Sequence, residues 1–250
     1  FGAKKLAHCL YPAKASCGDV EIAELSFAKE AIEVSINAVS NIKTDKVATA
    51  QLDPWKGLSP FAHKYDRGHV LVVGGSSGKL GAPTISASAA FYAGAGWVSV
   101  ALSGGDAPVH SMPPEITYES FYNDDHLDLD AMREFVTKRR VRALCIGPGM
   151  IQSPFTRENW CEFLKIVENI ELCVIDAAAL HAIGDLLDQN PMTTKCLLTP
   201  HPGEWLKLHA DNKALDSLTE VENIRAKLKH WKVNVFYKTA SPFTISKGGS

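Results

Sequence analysis

The stretch HVLVVGGSSGKLGAPTISASAAFYAGAGWVSVAL, residues 69 to 102, decides the fold. HVLVVGG is a short, continuous apolar run ending in glycines. It reads as a strand buried on both faces, since a half-exposed strand would alternate apolar with polar residues. APTISASAAFYAG follows as a helix of small residues. Gly94 marks its end, where a residue without a Cβ takes the left-handed conformation at little cost. WVSVAL is the next strand. Strand, helix and strand in this order form one unit of a parallel sheet.

The rhythm continues downstream. RALCIGPG, ELCVIDAAAL, CLLTPHPGE and VNVFYK are each apolar, and each runs into a polar or Gly/Pro cluster. DAMREFVTK, TRENWCEFLKIV and ALDSLTEVENIRAKLKHW read as helices between them. The expected fold is α/β, a mainly parallel sheet flanked by helices. Upstream the pattern differs. Residues 1–27 read as two short strands around PAKASCGD, residues 28–60 as a linker, and DPWKGLSP as its Pro/Gly connector. The main domain is expected over 61–250. NVFYKTASPFTIS reads as one strand turning into another with no closing helix. The chain is therefore expected to be a piece of a longer protein, truncated on its C-terminal side.

With 250 residues, 46% of them hydrophobic, the chain suits one large domain with a sizeable core. A formal net charge of -2 gives no general pull toward nucleic acid or membrane, and neither is expected as a partner. Lys138, Arg139 and Arg140 read as a solvated helix end. None of the six cysteines forms a C-x-x-C pair or a zinc-like spacing, and no metal site is expected from them. Cys145, Cys173 and Cys196 sit in apolar runs as small hydrophobes. A reducing, cytoplasmic compartment is expected. No apolar run reaches the roughly 18 residues of a membrane-spanning helix.

In open α/β sheets ligands bind outside the carboxyl ends of the strands. Those ends here carry Gly75, Gly147 and Gly149, Asp176, the segment Thr199 to Glu204, and Lys238. Glycines let the backbone approach a ligand and turn N–H groups toward phosphate oxygens. A helix starting at Ala82 adds its positive end. The loop is neither a Walker A sequence, which needs other residues at Val73 and Leu80, nor G-x-G-x-x-G, since Ser76 takes the second glycine position. Asp176 either holds a water, metal or hydroxyl, or caps the helix that follows it. Lys238 either meets a phosphate or is a plain surface lysine. His181 and His209 read as structural or surface residues. His201 is more telling. Pro200 and Pro202 stiffen its backbone, and Pro202 pushes it toward extended geometry. Glu204 sits where a helix should start, and capping there explains the acid. Capping leaves His201 unexplained.

HKYDRGHVLVVGGSSGKLGAPTISASAAFYAGAGWVSVA, PPEI, CIGPGM, VIDAAAL, LTPHPGEWLKL and VFYKTA occur in the order that marks the NAD(P)H-hydrate dehydratase family, which this chain resembles over residues 63 to 240. The resemblance implies a ribokinase-like fold. Residues 1–27 resemble the closing segment of the NAD(P)H-hydrate epimerase domain, which precedes the dehydratase in bifunctional repair enzymes. The implied reaction uses ADP or ATP, with Mg2+, to phosphorylate the hydroxyl of the S hydrate of NADH or NADPH. Elimination then restores the nicotinamide ring. The resemblance implies that Ala82, Gly149 and His201 contact the hydrate. It implies that Lys238, Thr239 and Ala240 contact the adenine nucleotide, and it matches Asp176 to the first acid of the family's D-A-D-A-L motif. It also implies a homo-oligomer. Two departures stand within the chain: Ala178 replaces the second acid of that motif, and Thr239 replaces a glycine, bringing a Cβ toward the phosphates. The family's G-G-x-G-D loop, which carries the catalytic Asp, is expected beyond Ser250, so this piece is expected not to complete the reaction. A ribokinase-like small-molecule kinase and a degenerate nucleotide-binding module remain as other readings.

Overall fold

The apolar run after Gly68 forms β1 (His69–Gly74), whose side chains alternate between two cores. Leu71 and Val73 enter the larger core and Val72 the smaller, all essentially without solvent contact. A strand with apolar partners on both faces needs no polar alternation. The structure is a computed structural model that describes residues 13–19, 21, 59, 61–103, 112–123, 126–181, 183–192, 195–208, 217–240 and 242–245. The two strands expected within residues 1–27 and the linker expected over 28–60 fall almost wholly outside the described residues. Ala13–Ser16, inside PAKASCGD, forms one turn of 3-10 helix.

After β1 come α1 (Gly81–Tyr92), starting one residue before Ala82, and β2 (Trp97–Leu102). Gly94 closes α1 as expected. Its φ is 101°, and its N–H donates to the Phe91 carbonyl at 3.0 Å. Next are β3 (Thr117–Glu119) and a short hairpin of β4 (Tyr122–Asn123) and β5 (His126–Leu127). Then follow α2 (Leu129–Arg139), β6 (Val141–Ile146), α3 (Arg157–Val167) and β7 (Leu172–Ile175). The chain continues through α4 (Ile183–Gln189), β8 (Cys196–Leu198), α5 (Pro202–Leu208), α6 (Ser217–Trp231), β9 (Asn234–Tyr237) and β10 (Phe243–Ile245).

Eight strands form one sheet in the order β10-β9-β8-β7-β6-β1-β2-β3. Every neighbouring pair is parallel except β9 and β10, which pair antiparallel as the turn between them suggested. From β1 the chain steps outward through β2 and β3. It then returns to lay β6 against the other side of β1. The strand order reverses there, and that reversal opens a crevice at the carboxyl ends of β1 and β6.

The helices that cover the larger core are locally well specified. Asp128 caps α2, accepting from the Ala131 N–H at 2.9 Å, and Arg140 ends it at φ 51° with the basic run 138–140 exposed. Thr156 and Asn159 form a capping box at the start of α3. Trp160, Phe163 and Val167 then fall on one buried stripe of α3, as do Ile224, Leu228 and Trp231 on α6. Cys173 and Cys196 are fully buried directly opposite each other in β7 and β8, and Cys145 is half-buried; all three are free thiols. Burial, with the nearby Asp176 charge, pushes the Cys145 thiol up to about 12. No helix among the described residues is long and apolar enough to cross a membrane.

Candidate functional site

The loops after β1 and β6 grip each other through their backbones. Gly75 donates its N–H to the Pro148 carbonyl at 2.8 Å, and Gly147 donates to Val73 at 3.0 Å. The Ser76 hydroxyl donates to the Gly149 carbonyl at 2.8 Å. A Cβ on Gly74 would collide with the Pro148 carbonyl, and one on Gly149 with the Lys79 carbonyl. At Gly147, where φ is +116°, a Cβ would strike the Asp176 carbonyl and lie 2.7 Å from the Ala179 Cβ. These glycines therefore serve close approach, first of one loop to another. Ala82 lies exposed in the first turn of α1, beside Pro83, which flanks Gly149. Leu80, at the N-cap of α1, offers no side-chain cap.

The ends of β7, β8 and β9 build their side of the crevice from charged and polar side chains. Asp176 stands at the N-cap of a 3-10 turn (Ala177–Leu180) but makes no capping bond to it. Its Oδ1 instead accepts from the Thr199 hydroxyl at 2.7 Å and from Lys238 Nζ at 2.6 Å. The capping alternative for Asp176 is thereby corrected: two donors from neighbouring strand ends take the oxygen. Lys238 Nζ is also 3.8 Å from Glu204 Oε2, so it is no plain surface lysine. Thr239 and Ala240 follow it in the turn toward β10.

His201 and Glu204 frame the start of α5. Glu204 is 9% exposed, and its Oε2 accepts from the His201 N–H at 2.9 Å. The His201 imidazole bends back over the same helix end. Its Nδ1 accepts from the Gly203 N–H at 3.0 Å and the Glu204 N–H at 3.3 Å. Its Nε2 lies 3.5 Å from Glu204 Oε1. The expectation that capping leaves His201 unexplained is corrected here: the ring itself is a cap. Histidine is outside the usual capping set of Ser, Thr, Asp and Asn, so the sequence did not suggest it.

Contacts run unbroken along the crevice: Pro83 and Gly149, the β1 loop, Gly147, Asp176, Lys238, Glu204, His201. Sequence reasoning assigned no role to Thr199 or Ser76. Each hydroxyl crosses to a different strand's loop, so only the strand order could reveal it. Among the described residues no group of three or more His, Cys, Asp or Glu is placed to hold a metal ion.

The profile of the NAD(P)H-hydrate dehydratase family matches residues 70–245, from β1 to β10. A bifunctional NAD(P)H-hydrate repair enzyme of Moorella thermoacetica is 29% identical over 254 aligned residues, covering 96% of this chain and 45% of the relative. A ribokinase-like superfamily protein of Enterococcus faecalis superposes with a TM-score of 0.57 at 20% identity, over 75% of this chain and 63% of the other. The ADP/ATP-dependent NAD(P)H-hydrate dehydratase of Bacillus subtilis, co-crystallised with ATP and Mg2+, superposes with a TM-score of 0.55 at 21% identity, over 76% and 65%. Both superpositions show the ribokinase-like fold. The chain spans less than half the length of the bifunctional relatives it matches. The profile match takes in every strand of the main sheet and both sides of the crevice, and the chain belongs to the NAD(P)H-hydrate dehydratase family.

Proposed function

We propose that this chain supplies the binding crevice for nucleotide-dependent dehydration of (S)-NAD(P)H hydrate, within a repair enzyme that also epimerises the hydrate. The carrying observation is that Gly149, Asp176, Lys238, Glu204 and His201 stand just past the carboxyl ends of neighbouring strands of one sheet, with Lys238 tied to Asp176 and Glu204, and Glu204 to His201. A ligand spanning these strand ends would touch both Lys238 and the hydrate contacts Gly149 and His201. The family match supports a dehydratase over a small-molecule kinase. The Gly75 and Gly147 amides are taken by the Pro148 and Val73 carbonyls, so Lys238 meets the phosphate charge, and His201 orients the hydrate. Thr239, with Ala240, lines the nucleotide end.

Mg2+ fits this end as a nucleotide-borne ion. Asp176 and Glu204 are hard oxygen donors, and two carboxylates against one Lys238 leave a net negative charge. Mg2+ is usually held by one or two carboxylates plus substrate phosphates, so no larger protein cage is needed. The ion, when bound, screens the phosphates from these acids and withdraws charge from the leaving group.

We further infer a homo-oligomer in the cytoplasm. Ile85 and Tyr92, 71% and 77% exposed, lie two turns apart on one face of α1, which supports self-association. The free thiols support a reducing compartment. The test of function is recovery of NADPH absorbance from (S)-NADPH hydrate by the complete protein, with and without ADP or ATP and MgCl2. Recovery that requires nucleotide is expected. No recovery with either nucleotide would sink the proposal. Light scattering of I85E/Y92E beside the parent tests the oligomer, and an unchanged mass would refute this face.

A further inference from the structure

We propose that His201 works as a fixed hydrogen-bond donor through Nε2–H, and that Glu204 is the positioning residue that holds it so. The donor role rests on the placement of His201 at the hydrate; the ring geometry stands without it.

His201, Pro202, Gly203 and Glu204 occupy the N-cap, first, second and third positions of α5. In a capping box the N-cap side chain accepts from the third residue's N–H, and the third residue's side chain accepts from the N-cap N–H. Both bonds are present, at 3.3 Å and 2.9 Å, with an imidazole nitrogen in place of a hydroxyl. Gly203 adds a second N–H onto the same Nδ1 at 3.0 Å. A nitrogen that accepts from two backbone donors carries no proton. In the neutral ring the proton is then on Nε2. Pro202 at the first helical position suits this arrangement, because it has no N–H to leave unpaired.

Two consequences follow. Nδ1 has no free lone pair to act as a base, since taking a proton would break both bonds to α5. Nε2 stands 3.5 Å from Glu204 Oε1, longer than an ordinary hydrogen bond, on a side chain that is 54% exposed beside a Glu204 carboxylate that is 12% exposed. The group it recognises is therefore an acceptor, such as the hydroxyl or the carboxamide oxygen of a hydrated nicotinamide. Glu204 Oε2 also lies 3.8 Å from Lys238 Nζ, so one acid borders both the hydrate contact and the nucleotide lysine.

The test uses the complete protein. Asparagine is among the best N-caps and, like this ring, offers one acceptor and one donor, but it is no base. H201A is expected to weaken (S)-NADPH hydrate binding by about tenfold, the scale of one lost hydrogen bond. H201N is expected to restore most of that loss. Imidazole nitrogen NMR of the unliganded protein, with His201 assigned by its disappearance in H201N, is expected to show a protonated Nε2 and a bare, accepting Nδ1. E204A is expected to blur that preference. A protonated Nδ1, or H201N binding as weakly as H201A with both variants folded, would overturn the proposal. An Nε2–H ring with hydrate affinity unchanged in H201A would remove the hydrate from His201, and the donor role with it, while leaving the capping pair.

Discussion

At β1 and β6 the crevice is made of backbone; at β7, β8 and β9 it is made of side chains. On the first side Gly74, Gly147 and Gly149 bring main chain against main chain, and a single Cβ meets a carbonyl oxygen. On the second, Asp176, Thr199, Lys238 and Glu204 hold one another through flexible ends, partly open to water. The first side has no slack, while the second can exchange one partner for another. A ligand that must be gripped at one end and admitted at the other suits such a division. Two substitutions test the rigidity of the first side most sharply. G147A places a Cβ into the Asp176 carbonyl at φ +116° and is expected to cost about 3 kcal/mol or more, or to prevent folding. G78A also carries a positive φ, +76°, but meets nothing within 4 Å, and is expected to cost about 1 kcal/mol. Urea unfolding of the pair reads the difference. Equal costs would mean that loop-to-loop contact does not set the tolerance of the glycine side.

On the side-chain end the largest effect should fall on binding. K238M removes the cation that Asp176 and Glu204 hold, which we propose meets the nucleotide phosphates. It is expected to weaken ADP binding by tenfold or more, as loss of a charge-assisted bond does. Its effect on stability should stay within about 1 kcal/mol, because the Lys238 side chain is 35% exposed and the Asp176 side chain 28%, and such pairs are screened. Calorimetry with ADP and MgCl2, alongside thermal unfolding, checks both halves. A large stability loss with unchanged ADP affinity would make this end structural like the other. H201A lies between the two kinds. It removes a helix cap, so the melting curve should show a loss of about 1 kcal/mol besides any loss of hydrate affinity.

Much of this was legible from residues alone, and for physical reasons. Apolar runs ending in Gly, Asp, Lys or, after β8, Thr-Pro-His located β1, β6, β7, β8 and β9 and so the edge that holds the candidate site. Gly94 announced the end of α1 because few other residues take its backbone angle. What stayed hidden depends on which strand lies beside which. The bond between Thr199 and Asp176 exists because β7 and β8 are neighbours, and nothing in either run declares that. The glycines were legible as sites of close approach, yet their first partners are each other. His201 drew notice for its prolines, while its work as a cap was masked by a ring that seldom caps.

The smallest expected effect comes from the opposite end of β1, where a side-chain network is buried and has lost the slack seen at Lys238. His69 is 4% exposed and stacks on Trp97, with ring centroids 5.0 Å apart. Its Nδ1 faces the Arg139 carbonyl at 3.4 Å, and its Nε2 meets the Ser99 hydroxyl at 2.8 Å. Ser99 pairs with the Thr117 hydroxyl at 2.7 Å, which accepts from Trp97 Nε1 at 3.1 Å. With a neutral ring every donor has an acceptor: Nδ1–H to Arg139, Ser99 to Nε2, Thr117 to Ser99. A second proton on the ring would reverse both hydroxyls. Burial holds the His69 pKa below its ordinary 6.5; the Arg139 carbonyl opposes this, and the Arg139 charge adds to it. The unfolded chain then takes up a proton near pH 6.5 that the folded chain still refuses, so stability falls as pH drops below that value and levels off beneath the folded pKa. One such group gives a slope of at most about 1.4 kcal/mol per pH unit. Urea unfolding of the parent and H69Q from about pH 7.5 to about pH 5 should show a decline that is shallower in the variant. A parent curve no steeper than that of H69Q would mean that the network turns over freely, and that burial does not remove slack from side-chain contacts as backbone contact does.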